Sequence, residues 1–225
     1  MTFEKTKLPG VFEIRIEPRP DERGFFARCW CQREFEDNGL NAKLAQCSVS
    51  FNVRKGTLRG MHYQAAPSEE AKVVRCTRGA LYDVVVDLRR SSPTFGDWVA
   101  VVVTSASRNM VYVPEGCAHG FLTLEDETEV LYQISEFYSP ESARGVRWDD
   151  PAFRIVWPDA VKVISEQMCI RDSSCHEQID PHRERVWDTS AHPQSALPQL
   201  RLPSPHLSCN RPSPSSSLSI IALTA

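Results

Sequence analysis

Long apolar runs are missing from this sequence, and so are the patterns of several common protein classes. No hydrophobic stretch approaches the ~20 residues of a membrane-spanning helix, and no N-terminal segment has the form of a secretory signal peptide. No basic run stands out, and the formal net charge is −3 with a pI near 6.1, which argues against a nucleic-acid-binding protein. We therefore expect a cytoplasmic protein whose partners include neither nucleic acid nor membrane.

Paired cysteine motifs are also missing. The eight cysteines are spread along the chain, and no two of them form a C-x-x-C pair. A zinc ribbon is therefore not expected, and without a signal peptide neither is a disulfide framework. The cysteines are interpreted as reduced thiols.

Glycine and lysine disappear from the end of the chain. All ten glycines precede residue 168, and the last lysine is Lys162. The last 58 residues instead carry seven prolines and eleven serines, a composition that cannot bury a core. We expect one folded domain at residues 1–167 and a low-complexity tail at 168–225. The tail is predicted to be disordered or unrelated to the domain, as after a frame change or fusion.

What the chain does contain is many short stretches rich in β-branched residues and divided by turns. The predicted strands are 11–17, 44–52, 72–77, 80–88, 98–104, 110–113 and 129–135. Only one short helix is predicted, at 32–38 before Gly39. This pattern indicates an all-β sandwich or barrel, with jelly rolls among the options.

The stretch with the most chemistry is Gly56 to Gln64, which reads GTLRGMHYQ. It places the permanent cation of Arg59 three residues from His62, which exchanges a proton near neutral pH. A base beside a cationic clamp is what proton abstraction next to a carbonyl requires. A strand end with a solvated arginine and a hydrogen-bonded histidine fits the stretch equally well.

Four other residues are candidates, each with an ordinary alternative. Lys72 heads an apolar strand, where an exposed edge lysine is common. His119 follows the turn Pro114-Glu115-Gly116 and fits a hydrogen-bonded turn histidine as well as a ligand-binding one. Tyr132 and Tyr138 fit packing roles as well as proton donation or stacking.

A metal site is the main rival to metal-free chemistry. Pro114-x-Gly116-x-x-His119 is similar to the second half of the metal-binding cupin signature. The first half requires two histidines where His62-Tyr63-Gln64 supplies one. Two imidazoles without carboxylate support make a poor divalent site, so we expect no metal and no other cofactor.

Eight motifs, in order and with matching spacing over about residues 4 to 167, resemble the dTDP-4-dehydrorhamnose 3,5-epimerase family of metal-free cupins. They are Asp21–Phe26, Leu58–Gln64, Lys72–Cys76, Tyr82–Asp87, Ser92–Gly96, Pro114–Phe121, Tyr138–Pro140 and Trp148–Pro151 continuing to Trp157-Pro158.

The resemblance implies a cupin-type double-stranded β-helix, or jelly roll, that forms a cytoplasmic homodimer in dTDP-L-rhamnose biosynthesis. It implies a substrate, dTDP-4-dehydro-6-deoxy-D-glucose, whose C4 ketone acidifies the protons on C3 and C5. It assigns His62 as the base, Tyr132 as the proton donor on the opposite face, and Lys72 to the developing oxyanion.

The same resemblance implies a binding set for the substrate. Arg59 helps to hold the sugar, Arg23 and His119 match positions that contact the diphosphate, and Tyr138 matches a residue that stacks on thymine. Two further residues, Gln46 and Ser48, fall where the family contacts the nucleotide.

Three departures from the family pattern keep alternatives open. Arg28 and Ala143 stand where the family often has glutamates, and Met168 stands where an aspartate orients the catalytic histidine. One alternative is therefore an epimerase that acts at C3 only, and another is a catalytically impaired dTDP-sugar-binding cupin. A metal-dependent cupin oxygenase is a third, which requires bound iron or zinc.

Overall fold

The computed structural model describes residues 1–165, which form one short helix and thirteen strands. The first strands are β1 (Thr2–Lys5), β2 (Phe12–Arg15), β3 (Arg19–Asp21) and β4 (Gly24–Phe26), followed by α1 (Gln32–Asp37). Next come β5 (Gln46–Asn52), β6 (Leu58–Gln64), β7 (Lys72–Arg78), β8 (Ala80–Asp87) and β9 (Trp98–Thr104). The last are β10 (Met110–Val113), β11 (Cys117–Thr123), β12 (Thr128–Ile134) and β13 (Ala143–Gly145).

Two antiparallel sheets make up the body of the fold. The six-stranded sheet has the order β1-β2-β10-β7-β12-β5, and the five-stranded sheet has the order β13-β6-β11-β8-β9. Apart from the consecutive pairs β1–β2 and β8–β9, neighbouring strands in both sheets are distant in sequence, as in a jelly roll. The all-β jelly-roll prediction is confirmed, and β3 with β4 forms a separate hairpin.

The core lies between the inner faces of the two sheets. Alternate residues of each strand point inward, so β8 contributes Leu81 and Val85 while β7 contributes Val74 and Cys76. These side chains are at most 1% exposed. The polar residues of the candidate site project from these same inner faces.

Each sheet also has an outer face. On the six-stranded sheet, Phe35 of α1 packs against Tyr112 of β10 and is fully buried. On the five-stranded sheet, the segment after β13 packs Trp148 and Trp157 against the outer face. The outer face of β5, an edge strand, leaves Val49 and Phe51 61% and 46% exposed.

The predicted elements agree well with the observed ones. The predicted strands at 98–104 and 110–113 have the observed bounds, and the helix predicted at 32–38 is observed at Gln32–Asp37. Strands β1, β3, β4, β6, β11 and β13 were not among the predicted strands. The predicted tail at 168–225 lies outside the described residues. Within the part of the chain that the structure describes, no helix is long and apolar enough to cross a membrane.

Candidate active site

A β-bulge brings Arg59 and His62 to the same face of β6. Residues three apart on a regular strand point to opposite faces. On β11, His119 lies opposite His62 and Phe121 opposite Arg59, so three steps on β6 match two steps on β11. The extra residue of β6 reverses the alternation. Both side chains therefore face the space between the sheets.

Two glycines allow β6 and β11 to approach each other at this bulge. A Cβ added to Gly60 would lie 2.3 Å from the Cα of Gly120. A Cβ added to Gly120 would lie 2.6 Å from the Sδ of Met61 and 2.8 Å from the backbone oxygen of Arg59. All three distances are shorter than the contacts that real Cβ atoms make, so glycine is required at both positions.

His62 is held as a neutral imidazole. Its side chain is accessible to solvent, yet it is surrounded by enough protein to lose much of its hydration. This desolvation, followed by the charges of Lys72, His119 and Arg59, lowers its pKa from 6.5 to about 4. A neutral imidazole at pH 7 is free to accept a proton.

Tyr132 projects from β12 of the opposite sheet. It pairs across the strands with Val74 and Ser48, and its ring packs edge-on to the His119 ring at 6.2 Å. Burial raises the pKa of the Tyr132 phenol above its usual 10, and the Asp83 carboxylate acts in the same direction. The phenol therefore stays protonated at neutral pH and can donate its proton.

The carboxylate of Asp83 and the imidazole of His119 form a buried pair on the inner face of the five-stranded sheet. Asp83 on β8 is 1% exposed, and its Oδ2 lies 2.7 Å from the Nε2 of His119. Burial raises the pKa of Asp83, while the neighbouring His119 and Lys72 oppose that rise. Its other oxygen, Oδ1, is buried and has no hydrogen-bond partner among the described residues.

Lys72 begins β7 and carries its ammonium group into the same space. Its Nζ lies 2.8 Å from the Oε1 of Glu70 and 3.5 Å from the backbone oxygen of His62. The side chains of Lys72 and Glu70 are only 12% and 8% exposed. The cation is therefore held beside the base.

Arg59 is anchored from the six-stranded sheet. Its Nε donates to the Oδ1 of Asn52 on β5 at 2.7 Å, and Asn52 in turn donates to the backbone oxygen of Thr128. On the same inward face of β5 lie Gln46 and Ser48, which pair with Ile134 and Tyr132 of β12. Gln46 and Ser48, the predicted nucleotide-binding residues, thus lie with Tyr132 on the inner face of the six-stranded sheet.

Tyr138 lies on the loop after β12, 53% exposed, and Gln64 holds that loop in place. The Oε1 of Gln64 accepts from the backbone N–H of Ser139 at 2.6 Å, and its Nε2 donates to the backbone oxygen of Phe137. The backbone N–H of Tyr138 donates to the side chain of Gln46 at 3.4 Å. Tyr138 therefore stands at the rim, next to the polar face of β5.

Arg23 stands apart from the other predicted site residues. It lies at the tip of the β3–β4 hairpin, 83% exposed, and pairs with Asp21 at 2.7 Å. Phe25 of this hairpin packs under the Arg108 guanidinium. Arg108 lies two residues before Met110, the first residue of β10. Lys72 pairs with Val113, the last residue of that strand. The hairpin is therefore held at the far end of β10 from Lys72.

The two family departures within the described residues have structural roles. Arg28 pairs with Glu34 of α1 at 2.6 Å, and Ala143 begins β13 opposite Gln64. Met168 lies outside the described residues.

Sequence reasoning missed two residues that orient the site, Glu70 and Asn52. Glutamate and asparagine are common residues on strands and loops, so neither stands out in the sequence. Their contacts, Glu70 with Lys72 and Asn52 with Arg59, depend on how the folded chain places the side chains. The buried Asp83 likewise has a partner, His119, that only the fold brings close.

Comparison with known proteins identifies the family of this chain. The family model for dTDP-4-dehydrorhamnose 3,5-epimerase matches residues 5–177. A dTDP-4-dehydrorhamnose 3,5-epimerase from Methanothermobacter thermautotrophicus is 44% identical over 156 residues, covering 69% of this chain and 83% of its own length.

Two solved structures share the fold. The 3,5-epimerase from Elizabethkingia anophelis superposes with a TM-score of 0.72 at 35% identity, covering 75% of this chain and 93% of that one. A 3,5-epimerase from Legionella pneumophila was solved in complex with dTDP-4-keto-L-rhamnose. It superposes with a TM-score of 0.69 at 32% identity, covering 75% of this chain and 89% of that one. From the extent of these matches, the chain belongs to the dTDP-4-dehydrorhamnose 3,5-epimerase family.

Proposed function

We propose that this chain is a metal-free isomerase of the cytoplasm that epimerises dTDP-4-dehydro-6-deoxy-D-glucose at C3 and C5. The observation that carries the proposal is the arrangement of a neutral His62 on one sheet and a protonated Tyr132 on the facing sheet, with the Lys72 ammonium group near His62. Inversion of a carbon requires proton removal from one face and proton delivery to the other.

Each epimerisation consists of two proton transfers. His62 takes the proton from C3 or C5, and the electron pair of the broken C–H bond forms an enolate with the negative charge on the C4 oxygen. The ammonium group of Lys72 stabilises that charge in a poorly hydrated space. Tyr132 then protonates the same carbon from the opposite face, and solvent returns the proton from His62 to the tyrosinate.

The remaining polar residues serve to bind the substrate. We propose that Arg59, held by Asn52, contacts the sugar, and that Gln46 and Ser48 contact the nucleotide along β5. Tyr138 at the rim stacks on the thymine. His119 is bonded to Asp83 and packs on Tyr132, which supports a place beside the sugar ring rather than at the diphosphate.

The active form is proposed to be a homodimer. The outer face of the edge strand β5 exposes Val49 and Phe51, and an exposed apolar edge of this kind is a typical association surface. Arg23 is held away from Lys72 of its own chain, so it is proposed to reach the diphosphate in the cavity of the partner.

The test is proton NMR of the dTDP-4-dehydro-6-deoxy-D-glucose substrate with the 225-residue protein in deuterium oxide. Deuterium at both C3 and C5 is the expected result. Deuterium at C3 only would identify a single-site epimerase and overturn the two-site proposal. Binding of thymidine diphosphate without any exchange would identify a sugar-nucleotide binder.

A parallel sample with Met168→Asp tests the residue at the family's aspartate position. A thioether cannot accept an imidazole N–H, so the aspartate is expected to raise the exchange rate if position 168 acts on His62. An unchanged rate in Met168→Asp would show that another group orients the base.

A further inference from the structure

We propose that Glu70 is a positioning residue that holds the Lys72 ammonium group against the reacting carbonyl, an inference that rests on the proposed function. The Oε1 of Glu70 lies 2.8 Å from the Nζ of Lys72, and both side chains are almost fully buried. No motif in the sequence pointed to Glu70.

The backbone between the two residues is fixed on both sides by Ser135. The Ala71 N–H donates to the Oγ of Ser135 at 2.8 Å, and the Ser135 N–H donates to the backbone oxygen of Ala71 at 3.0 Å. Ser135 is 4% exposed and directly follows β12, the strand that carries Tyr132. The separation of Glu70 and Lys72 is therefore set by the sheet rather than by a free loop.

Glu70 acts by using one of the three donors of the ammonium group. A lysine side chain is flexible, and its charge is useful in catalysis only where it is held in place. One N–H of Lys72 points to Glu70, and the backbone oxygen of His62 lies 3.5 Å from the same nitrogen. These two acceptors lie on the protein side, which leaves a third donor for the C4 oxygen of the substrate.

Charge balance supports the same role. The space between the sheets holds the cations of Arg59 and Lys72, while Asp83 and Glu70 supply the negative charges. Asp83 forms its hydrogen bond with His119, whereas Glu70 forms an ion pair with Lys72. An ammonium group buried without such a partner is strongly destabilised and moves toward water.

The test compares Glu70→Gln with Glu69→Gln, the same substitution at the exposed neighbouring position. Glu70→Gln is expected to lower kcat by about 10-fold to 100-fold while KM changes by less than about threefold, because a misplacement of about 1 Å can cost that much in rate. Glu69→Gln is expected to match the parent. A parent-like kcat in Glu70→Gln would overturn the inference.

A second comparison, of Lys72→Met with Lys72→Met/Glu70→Leu, keeps the test valid if Glu70→Gln folds poorly. The double variant Lys72→Met/Glu70→Leu removes both charges together, which a folded protein usually tolerates better than breaking a buried pair. Its rate is expected to equal that of Lys72→Met alone. A further tenfold loss in the double variant would show that Glu70 acts elsewhere and would overturn the inference.

A measurement without turnover separates this inference from the proposed function. With 13C-labelled lysine, the Cε signal of Lys72, assigned by its absence in Lys72→Met, is expected to report a rigid side chain in the parent and a mobile one in Glu70→Gln. Equal mobility in both would overturn the positioning role. If the parent shows this rigidity but exchanges no substrate protons, the proposed function fails while the contact between Glu70 and Lys72 stands.

Discussion

At the scale of single residues, the site depends on His62 and Tyr132, whose pKa values are shifted in opposite directions. Burial, followed by the charges of Lys72, His119 and Arg59, lowers the pKa of His62 to about 4, so it is a base at pH 7. Burial raises the pKa of Tyr132, so it remains an acid. Burial favours the neutral form of both groups, and in this way one site supplies both a base and an acid at pH 7.

The first prediction concerns the acid limb of the pH profile. Because the pKa of His62 is lowered, its neutral form persists below pH 6.5, and kcat/KM is expected to fall to half only at about pH 4. Circular dichroism over the same pH range controls for acid unfolding. An acid limb centred near pH 6.5 in a protein that stays folded would contradict this assignment of the base.

The catalytic candidates could be identified from sequence because each lies in a compact motif. His62 and Arg59 stand in one nine-residue stretch, Lys72 heads a predicted strand, and Tyr132 lies in the middle of another. Their partners could not be identified, because the Lys72–Glu70 and Arg59–Asn52 contacts depend on side-chain placement that only the folded sheets define.

At the scale of elements, the bulge in β6 and the close approach of β11 place the base. The bulge cannot be deduced from hydrophobic alternation, because an i, i+3 pair on a strand predicts opposite faces. The register shift between β6 and β11 is what brings Arg59 and His62 together. The glycines that permit it, Gly60 and Gly120, have no signal in the sequence that shows they meet.

The second prediction tests this packing with Gly120→Ala. The new Cβ would meet Met61 and the backbone of Arg59, so we expect a loss of about 1–3 kcal/mol in unfolding free energy together with a lower kcat. Thermal unfolding and the epimerase assay measure the two effects.

The control is Gly39→Ala, where φ is +71° but no atom lies within 4 Å of the new Cβ. It is expected to cost about 1–2 kcal/mol of backbone strain and to leave kcat unchanged. Parent-like stability and kcat in Gly120→Ala would show that the strands do not need this close approach.

The third prediction concerns the loop that carries Tyr138. Gln64→Leu removes the side-chain bonds to Ser68, Phe137 and Ser139, so the loop loses its anchor to β6. The Kd for thymidine diphosphate is expected to rise about tenfold, equivalent to about 1.4 kcal/mol. Calorimetric titration measures it, with Gln32→Leu on the exposed face of α1 as the matched control. Unchanged affinity in Gln64→Leu would separate Tyr138 from nucleotide binding.

At the scale of the whole molecule, the all-β class was predictable because short β-branched strands with regular turns dominate residues 1–165, and the family resemblance narrowed it to a jelly roll. The pairing of the strands was not predictable from local pattern, since neighbours such as β2 and β10 are about a hundred residues apart in sequence. The hairpin β3–β4 was missed because Pro18, Pro20 and Gly24 indicate a turn rather than a pair of strands.

The fourth prediction tests the proposed homodimer. Phe51→Lys places a charge on the outer face of β5 and is expected to convert the dimer into a monomer. Val102→Lys makes a matched change at a half-exposed valine on β9, the edge of the other sheet, and is expected to leave the dimer intact. Sedimentation velocity distinguishes the two masses. A dimer that survives Phe51→Lys would place the interface elsewhere.

The fifth prediction addresses the central claim, that His62 and Tyr132 act from opposite walls of one cavity. In deuterium oxide, His62→Ala is expected to lose both exchange and inversion at C3 and C5. Tyr132→Phe is expected to keep solvent exchange at these carbons with retained configuration, because the base can return the proton to the face from which it came. Inversion at the parent rate in Tyr132→Phe, or exchange at the parent rate in His62→Ala, would contradict the account.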